Sequence, residues 1–252
     1  MTRLAADLRL ALDPARLLRA WGFDPDPWQE DVLRARPSRA LLCCCRQAGK
    51  SSAAAAAAVH EALYKPASLC LMLAPSQRQS AELLRKARSL LSVAAPMLEF
   101  KIDSTQTLEL ANGSRIISLP ARDDTIRGFS NVALLIFDEA AWVDDELYVA
   151  TRPMLAVSGG RLLALSTPNG QRGWFYREWS EGQHWHRTRV VAAECPRIPA
   201  GFLAEERRAM TAAAFASEYE CAFTDAIDSV FFYADIRAAV DPDLPPLFEG
   251  GW

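Results

Sequence analysis

Lys50 and Ser51 follow Gly49 at the end of L-L-C-C-C-R-Q-A-G-K-S-S, residues 41–52. A lysine and a hydroxyl placed just after a glycine suit the binding of phosphate at a helix start. Backbone N–H groups there point at anionic oxygens, and the helix dipole favours negative charge. Gly49 would let the backbone approach the phosphates, Lys50 would reach the β- and γ-phosphates, and Ser51 would ligate Mg²⁺. Cys45, Arg46, Gln47, Ala48, Gly49, Lys50, Ser51 and Ser52 are the candidate nucleotide loop. The usual pattern, G-x-x-x-x-G-K-[ST], asks for glycine at position 44, where this chain has Cys44. Since G-K-S is a common tripeptide, the loop alone does not separate a nucleotide site from coincidence.

A second element carries the complementary chemistry. L-L-I-F-D-E, residues 134–139, is an apolar run ending in two carboxylates. At the C-terminal edge of a parallel sheet, Asp138 would reach a Mg²⁺ shell and Glu139 would orient or activate a water. An Asp-Glu pair after a strand also reads as a helix N-cap. Two matched halves in the right order, each on its own strand, favour an ATP site with ATP and Mg²⁺ as cofactors. Trp28 and Gln29 precede the loop by about twenty residues. There a glutamine can read an adenine edge while the tryptophan packs nearby; a core tryptophan at a helix start is the equal alternative. Ser166, Thr167 and Pro168, followed by Asn169 and Gly170, end a further strand. Their hydroxyls would lie beside the γ-phosphate and sense hydrolysis, unless the segment is a plain strand-end turn.

The elements that must position these residues follow from apolar patterning. Runs at 40–45, 69–74, 132–137 and 161–166 read as buried strands, with a last one at 185–191. Helices are expected at 51–64, 76–93 and 201–221. The Asp24-Pro25-Asp26-Pro27 turn launches another at Trp28. Segments 107–110 and 115–119 flank Asn112-Gly113, a strong hairpin signal. The alternation predicts an α/β fold whose central sheet is mostly parallel and covered by helices on both faces. Leu4, Leu8 and Leu12 recur at helical spacing and predict a packed N-terminal helix.

The chain has 252 residues, half of them hydrophobic, and a formal net charge of −3, so no global basic field marks a nucleic-acid coat protein. Of its 28 basic residues only Lys50, Lys65, Lys86 and Lys101 are lysines, which reads as genome composition rather than function. The six cysteines form no C-x-x-C pair and read as small core residues in a reducing compartment. No apolar stretch approaches the ~20 residues needed to cross a bilayer, which reads as a soluble chain. Arg85, Lys86 and Arg88 are the densest basic group; on a long helix such a cluster is more often a solvated face than a DNA grip.

The assembled motifs resemble the ATPase domain of the large terminase subunit of tailed bacteriophages. They are W-Q at 28–29, C-R-Q-A-G-K-S at 45–51, L-A-P-S-Q-R-Q-S at 73–80 and I-R-G at 126–128. L-L-I-F-D-E-A at 134–140, S-T-P-N-G at 166–170 and F-A-S-E-Y-E-C-A-F at 215–223 complete the set. In that family the first glycine of the loop is often absent and an arginine lies inside it, as with Cys44 and Arg46.

The resemblance implies a P-loop fold of the RecA-like (ASCE) class with a small C-terminal helical, lid-like subdomain. The corresponding division is a core at 1–195, a lid at 196–225 and a linker at 226–252. It also implies an ATP-driven motor that moves double-stranded DNA into a procapsid. Its partners would be the portal protein, the small terminase subunit and further copies of itself in a ring, a pentamer, in the host bacterial cytoplasm. Lys50 and Ser51 would bind phosphate and Mg²⁺, Asp138 would hold the metal shell, Glu139 would be the catalytic carboxylate, and Ser166, Thr167 and Pro168 would couple hydrolysis to movement.

Arg127 matches an arginine proposed to enter a neighbour's site, its alternative being a surface ion pair with Asp123 or Asp124. Arg46 would be sensor, finger or clamp. Large terminases normally carry a nuclease domain downstream; no carboxylate cluster follows a suitable strand here, and nuclease activity is not expected. A helicase needs a second RecA-like domain, for which the ~80 residues after position 170 are too few. A non-hydrolysing, nucleotide-gated assembly module is the remaining alternative.

Overall fold

The computed structural model describes residues 3–122, 126, 128–224 and 239. At its centre, β1 (Arg39–Cys44), β2 (Leu69–Ala74), β6 (Leu134–Asp138) and β7 (Arg161–Ser166) are almost wholly buried. Continuous apolar runs of this kind are what a parallel sheet covered on both faces requires. β3 (Phe100–Asp103), β4 (Thr107–Leu110), β5 (Arg115–Pro120) and β8 (His186–Val190) complete an eight-stranded sheet in the order β3-β4-β5-β2-β6-β7-β1-β8. β1 lies between β7 and β8, parallel to both, and β6 lies between β2 and β7. One strand thus separates the phosphate-loop strand from the acidic strand, and all three end at the same edge of the sheet.

The antiparallel part is β3, β4 and β5, with the Asn112-Gly113 turn joining the last two. Gly113 takes φ +81, and the Asn112 carboxamide oxygen accepts from Ser114 N at 2.9 Å. β3 was not foreseen: F-K-I-D is an exposed, bulged edge strand with no apolar alternation to announce it.

Helices cover both faces, and alternation along β6 shows which. Asp138 points to the face bearing α4 (Lys50–Tyr64), whose Ser51 it meets. Phe137, one residue earlier, points to the other face. There it packs against Trp174 of α7 (Gly173–Ser180) and Tyr148 of α6 (Asp145–Thr151), rings whose planes are stacked with centroids 4.1 Å apart. α5 (Gln77–Ala94) lies beside α4, its N-terminus capped by the Ser76 hydroxyl. Two short helices, α2 (Arg16–Ala20) and α3 (Pro27–Ala35), rest on this pair.

The N-terminal helix α1 (Arg3–Leu12) forms, but its leucine stripe is not its packing face. Leu4 and Leu12 are 78% and 76% exposed, and Leu8 is exposed as well. The helix is held instead by Leu10, by His60 to the Ala11 carbonyl and by the Tyr64 hydroxyl to Asp7. Ten residues can present one face to α4, and polar contacts chose it.

The expected single helix at 201–221 is two, α8 (Ala200–Ala209) and α9 (Ala212–Glu220). Thr211 interrupts them because its hydroxyl caps the second, accepting from Ala214 N at 3.2 Å. α8 buries no side chain fully, whereas α9 buries Phe215 and Tyr219. The expected linker at 226–252 lies outside the described residues apart from Ala239. No helix among the described residues is long and apolar enough to cross a membrane.

Candidate nucleotide site

β1 delivers the chain into the loop at 45–49, and the loop's shape comes from two residues with positive φ. Gln47 takes φ +61 and Gly49 φ +88. A Cβ on Gly49 would lie 2.8 Å from Gln29 Nε2, so glycine is needed for the dihedral and for the close approach. Cys45 N donates to the Val190 carbonyl of β8 at 2.9 Å, and the Cys45 side chain is buried with its Sγ 3.7 Å from Cys195 Sγ. Cys43, Cys44 and Cys45 are all buried, as apolar strand residues should be. Cys45 therefore offers the loop its backbone, not its side chain.

At the start of α4, Lys50 is buried and its Nζ donates to the carbonyls of Cys44 at 3.1 Å and Cys45 at 3.2 Å. The same ammonium stands 4.0 Å from Glu139 Oε1. Ser51 Oγ donates to Asp138 Oδ2 at 3.2 Å. Glu139 leaves the strand in the left-handed region at φ +51, a position costing ~1 kcal/mol for a residue with a Cβ. That turn opens the short 3₁₀ segment Ala140–Trp142. Ser166 Oγ, at the end of β7, lies 3.5 Å from Glu139 Oε2 and accepts from Ala141 N at 3.1 Å. Burial and the neighbouring Glu139 together push the Asp138 carboxyl up to about 6, against the partial relief of Lys50. Two carboxylates share one close ammonium, Lys50, and Lys86 acts on Asp138 from farther away.

Arg46 is turned away from these groups. Its side chain is 65% exposed, and its Nε and NH2 grip both oxygens of Glu218 on α9 at 2.5 and 3.1 Å, which raises the guanidinium's pKa. Its backbone N also donates to the Glu218 carbonyl. In this arrangement Arg46 bridges the loop and α9.

Gln29 is buried behind the loop. Its Oε1 accepts from Asp26 N at 2.9 Å and its Nε2 donates to the Gly49 carbonyl at 3.1 Å, leaving one amide hydrogen uncommitted. Trp28 packs half-buried against the core and does not line the cleft, the alternative weighed from sequence. Thr167 lines the cleft, and the Pro168 carbonyl accepts from Ser217 Oγ of α9 at 3.2 Å. Residues 166–168 therefore join the Glu139 turn to the same helix that holds Arg46. Arg127 lies outside the described residues. Around these groups is a cleft of about 1580 Å³, lined by residues 22–27, the loop, Glu139 and 196–199.

Three residues around the site carry contacts that its motifs do not announce. Arg197 donates to both oxygens of Asp26, at 2.7 and 2.6 Å, and to the Ala48 carbonyl at 3.0 Å. Glu218 lies within a motif quoted above, but nothing in the motif marks it as the partner of Arg46. Lys86 lines the cleft and acts electrostatically on Asp138, whereas its neighbours Arg85 and Arg88 pair with Glu82 and Asp103. The basic cluster is thus partly a solvated face and partly a wall of the site.

Comparison with known proteins agrees with this fold. A sequence profile described as terminase large subunit, T4likevirus-type, N-terminal, matches residues 42–238. The large terminase subunit of Escherichia phage T5 is 29% identical over 171 residues, which is 64% of this chain and 39% of that protein. The chain spans about two fifths of the length of this curated relative. Among solved structures, the large terminase ATPase domain of Thermus phage P74-26 superposes with a TM-score of 0.73 at 23% identity, covering 83% of this chain and 98% of that one. The large terminase of a thermophilic bacteriophage, solved in complex with ADP, gives 0.61 at 12% identity, over 87% of this chain and 53% of that one.

Proposed function

The chain belongs to the large-terminase family, and from that premise we propose that it is the ATP-hydrolysing motor domain of a phage large terminase, which drives double-stranded DNA into a procapsid. One observation carries the hydrolytic reading. Loop, helix start and acidic strand converge so that Ser51 Oγ lies 3.2 Å from Asp138 and Lys50 Nζ 4.0 Å from Glu139. A nucleotide-gated module that does not hydrolyse would need no carboxylate in the position of Glu139.

A hydroxyl and a carboxylate side by side are a donor set suited to Mg²⁺. The raised Asp138 pKa, due first to burial and then to the neighbouring Glu139, fits a carboxylate that a divalent cation would relieve. When bound, the ion would supply positive charge to the phosphate oxygens. Ser51 and Asp138 would hold it. Lys50 would exchange its two carbonyl partners for the β- and γ-phosphates, and the N–H groups of 47–51 would surround the phosphates. Glu139 would orient the attacking water for in-line displacement and take up its proton. The ADP complex of the related thermophilic-phage terminase supports nucleotide as ligand.

Gln29 would reach the base edge through its uncommitted amide hydrogen. Ser166, Thr167 and Pro168 would pass the change at Glu139 to α9, where Arg46 and Glu218 meet. Arg127 of a neighbouring copy is proposed as the finger, in a ring assembled with the portal protein and the small terminase subunit in the host bacterial cytoplasm. The Glu139→Gln variant tests this reading by phosphate release and nucleotide binding. It should bind ATP normally and turn over at least ~10²-fold more slowly; near-normal turnover would remove Glu139 from the chemistry.

A further inference from the structure

Arg197 has no role in the reading above, yet it joins three segments at the cleft. Its two terminal nitrogens take both oxygens of Asp26, a carboxylate only 8% exposed. One of those nitrogens also holds the Ala48 carbonyl, on the residue before Gly49. We propose that Arg197 is a positioning residue for ATP. It locks the strap at 24–29 to the phosphate loop, so that the base-side wall and the loop's N–H groups are in register before nucleotide arrives.

The geometry supports this in three ways. First, C=O and N–H point in opposite directions across a trans peptide. Holding the Ala48 carbonyl toward the strap therefore turns the Gly49 N–H away from it, free for an anion. Second, the strap reaches two consecutive loop carbonyls by two bridges. Arg197 carries Asp26 to Ala48, and Gln29 donates directly to Gly49 at 3.1 Å. Asp26 anchors both, since its backbone N–H is the donor to Gln29 Oε1. Third, the pair joins the two segments that bear exposed rings in the cleft, Phe23 on the strap side and Phe202 beyond Arg197. Flat apolar surfaces lining the same cleft suit a nucleobase.

Only arginine meets the geometric demand. A guanidinium presents a rigid fork that spans a carboxylate and a third acceptor, whereas an ammonium is a point charge. Arg197 is 42% exposed, so the pair is a weak source of stability, and its placement on the cleft wall is the more informative fact.

The proposal rests on the ATPase reading and is tested within it. ATP turnover is measured against ATP concentration for the wild type, Arg197→Ala, Arg197→Lys, Asp26→Asn and the double variant, with thermal melting to confirm folding. Asparagine at 26 keeps the helix-capping ability, so that change removes the ion pair selectively. Arg197→Ala should raise KM about tenfold and leave kcat within about threefold, the mark of lost binding rather than lost chemistry. Arg197→Lys should recover only part of the loss. The double variant should be no worse than Arg197→Ala by more than about twofold, because the two residues act as one unit.

An unchanged KM in folded Arg197→Ala would overturn the proposal, as would multiplicative effects in the double variant. A fall in kcat at constant KM would also overturn it. If Arg197→Ala does not fold, Arg197→Lys and Asp26→Asn carry the same readout. A wild type that neither binds nor hydrolyses ATP would overturn the ATPase reading and this inference together. That result is distinct from an active wild type with indifferent variants.

Discussion

Helix α4 carries a charge cluster at each end, and the two are built on opposite principles. At its C-terminal end Glu61 is buried and surrounded by cations: Arg36 at 2.8 Å, Lys65 at 3.4 Å and Arg161 at 3.5 Å. Every partner comes from the chain itself, and the carboxylate is fully answered. At the N-terminal end, Asp138 and Glu139 share Lys50, and Asp138 is driven up to about 6 by burial and its acidic neighbour. Both clusters lie against the same sheet. One is closed and ties the helix, β7 and the end of α3 together; the other sets two carboxylates against one close ammonium, with Lys86 acting only from a distance. A buried imbalance of this sort disfavours the apo state and favours whatever brings positive charge, which distinguishes a site from a brace.

Three measurements would break or sharpen that contrast. The largest effect is expected at the brace. Glu61→Leu leaves three cations without their carboxylate and should cost about 3 kcal/mol of stability, seen as a lower denaturation midpoint, while turnover per folded molecule stays near wild type. A variant that keeps its stability but loses activity would reverse the assignment of the two ends.

Next comes Asp138→Asn. The folded carboxyl titrates near 6, above its ordinary 3.8, so the group's stabilising contribution is complete below about pH 4 and is lost as pH rises through 6. Without nucleotide or Mg²⁺, the variant should therefore be more stable than wild type at about pH 7.5, by about 2 kcal/mol. The difference should vanish near pH 4. Addition of Mg²⁺ and nucleotide should stabilise only the wild type appreciably. Melting curves at the two pH values, with and without the pair, check this; no pH dependence of the difference would mean that the site is not electrostatically strained.

The smallest effect is expected from Arg46→Ala. The pair with Glu218 is exposed and contributes under about 1 kcal/mol, so melting should barely move and turnover should stay within about threefold. A loss of ~10³ would instead give Arg46 the work of a finger in its own subunit.

Much of this site could be read from the chain, for identifiable reasons. β1, the loop and α4 are contiguous, and the run from Leu134 to Glu139 is a strand followed at once by its acids. Local apolar patterning reports such units because a parallel strand must be buried on both faces. The sheet's parallel character was legible for the same reason, and the hairpin because Asn112-Gly113 supplies the positive φ that its turn needs. β3 was not, being exposed at an edge, and the packing of α1 was misjudged because periodicity marks an apolar stripe without saying what covers it. Trp28 is not placed by its sequence, since a helix-start tryptophan obeys the same pattern in core and cleft.

What the sequence by itself determined, then, is the set of chemical groups and the short elements that carry them: Lys50 and Ser51 at a helix start, Asp138 and Glu139 at a strand end. What only the tertiary structure decided is how the site is braced. Arg197 reaches Asp26 across 171 positions and Arg46 reaches Glu218 across 172. Both follow from β8 adding to the free side of β1, where Cys45 N meets the Val190 carbonyl and the chain emerges beside the loop. Strand order arises from burying the whole sheet at once, a global balance of apolar surface that no local window of residues records.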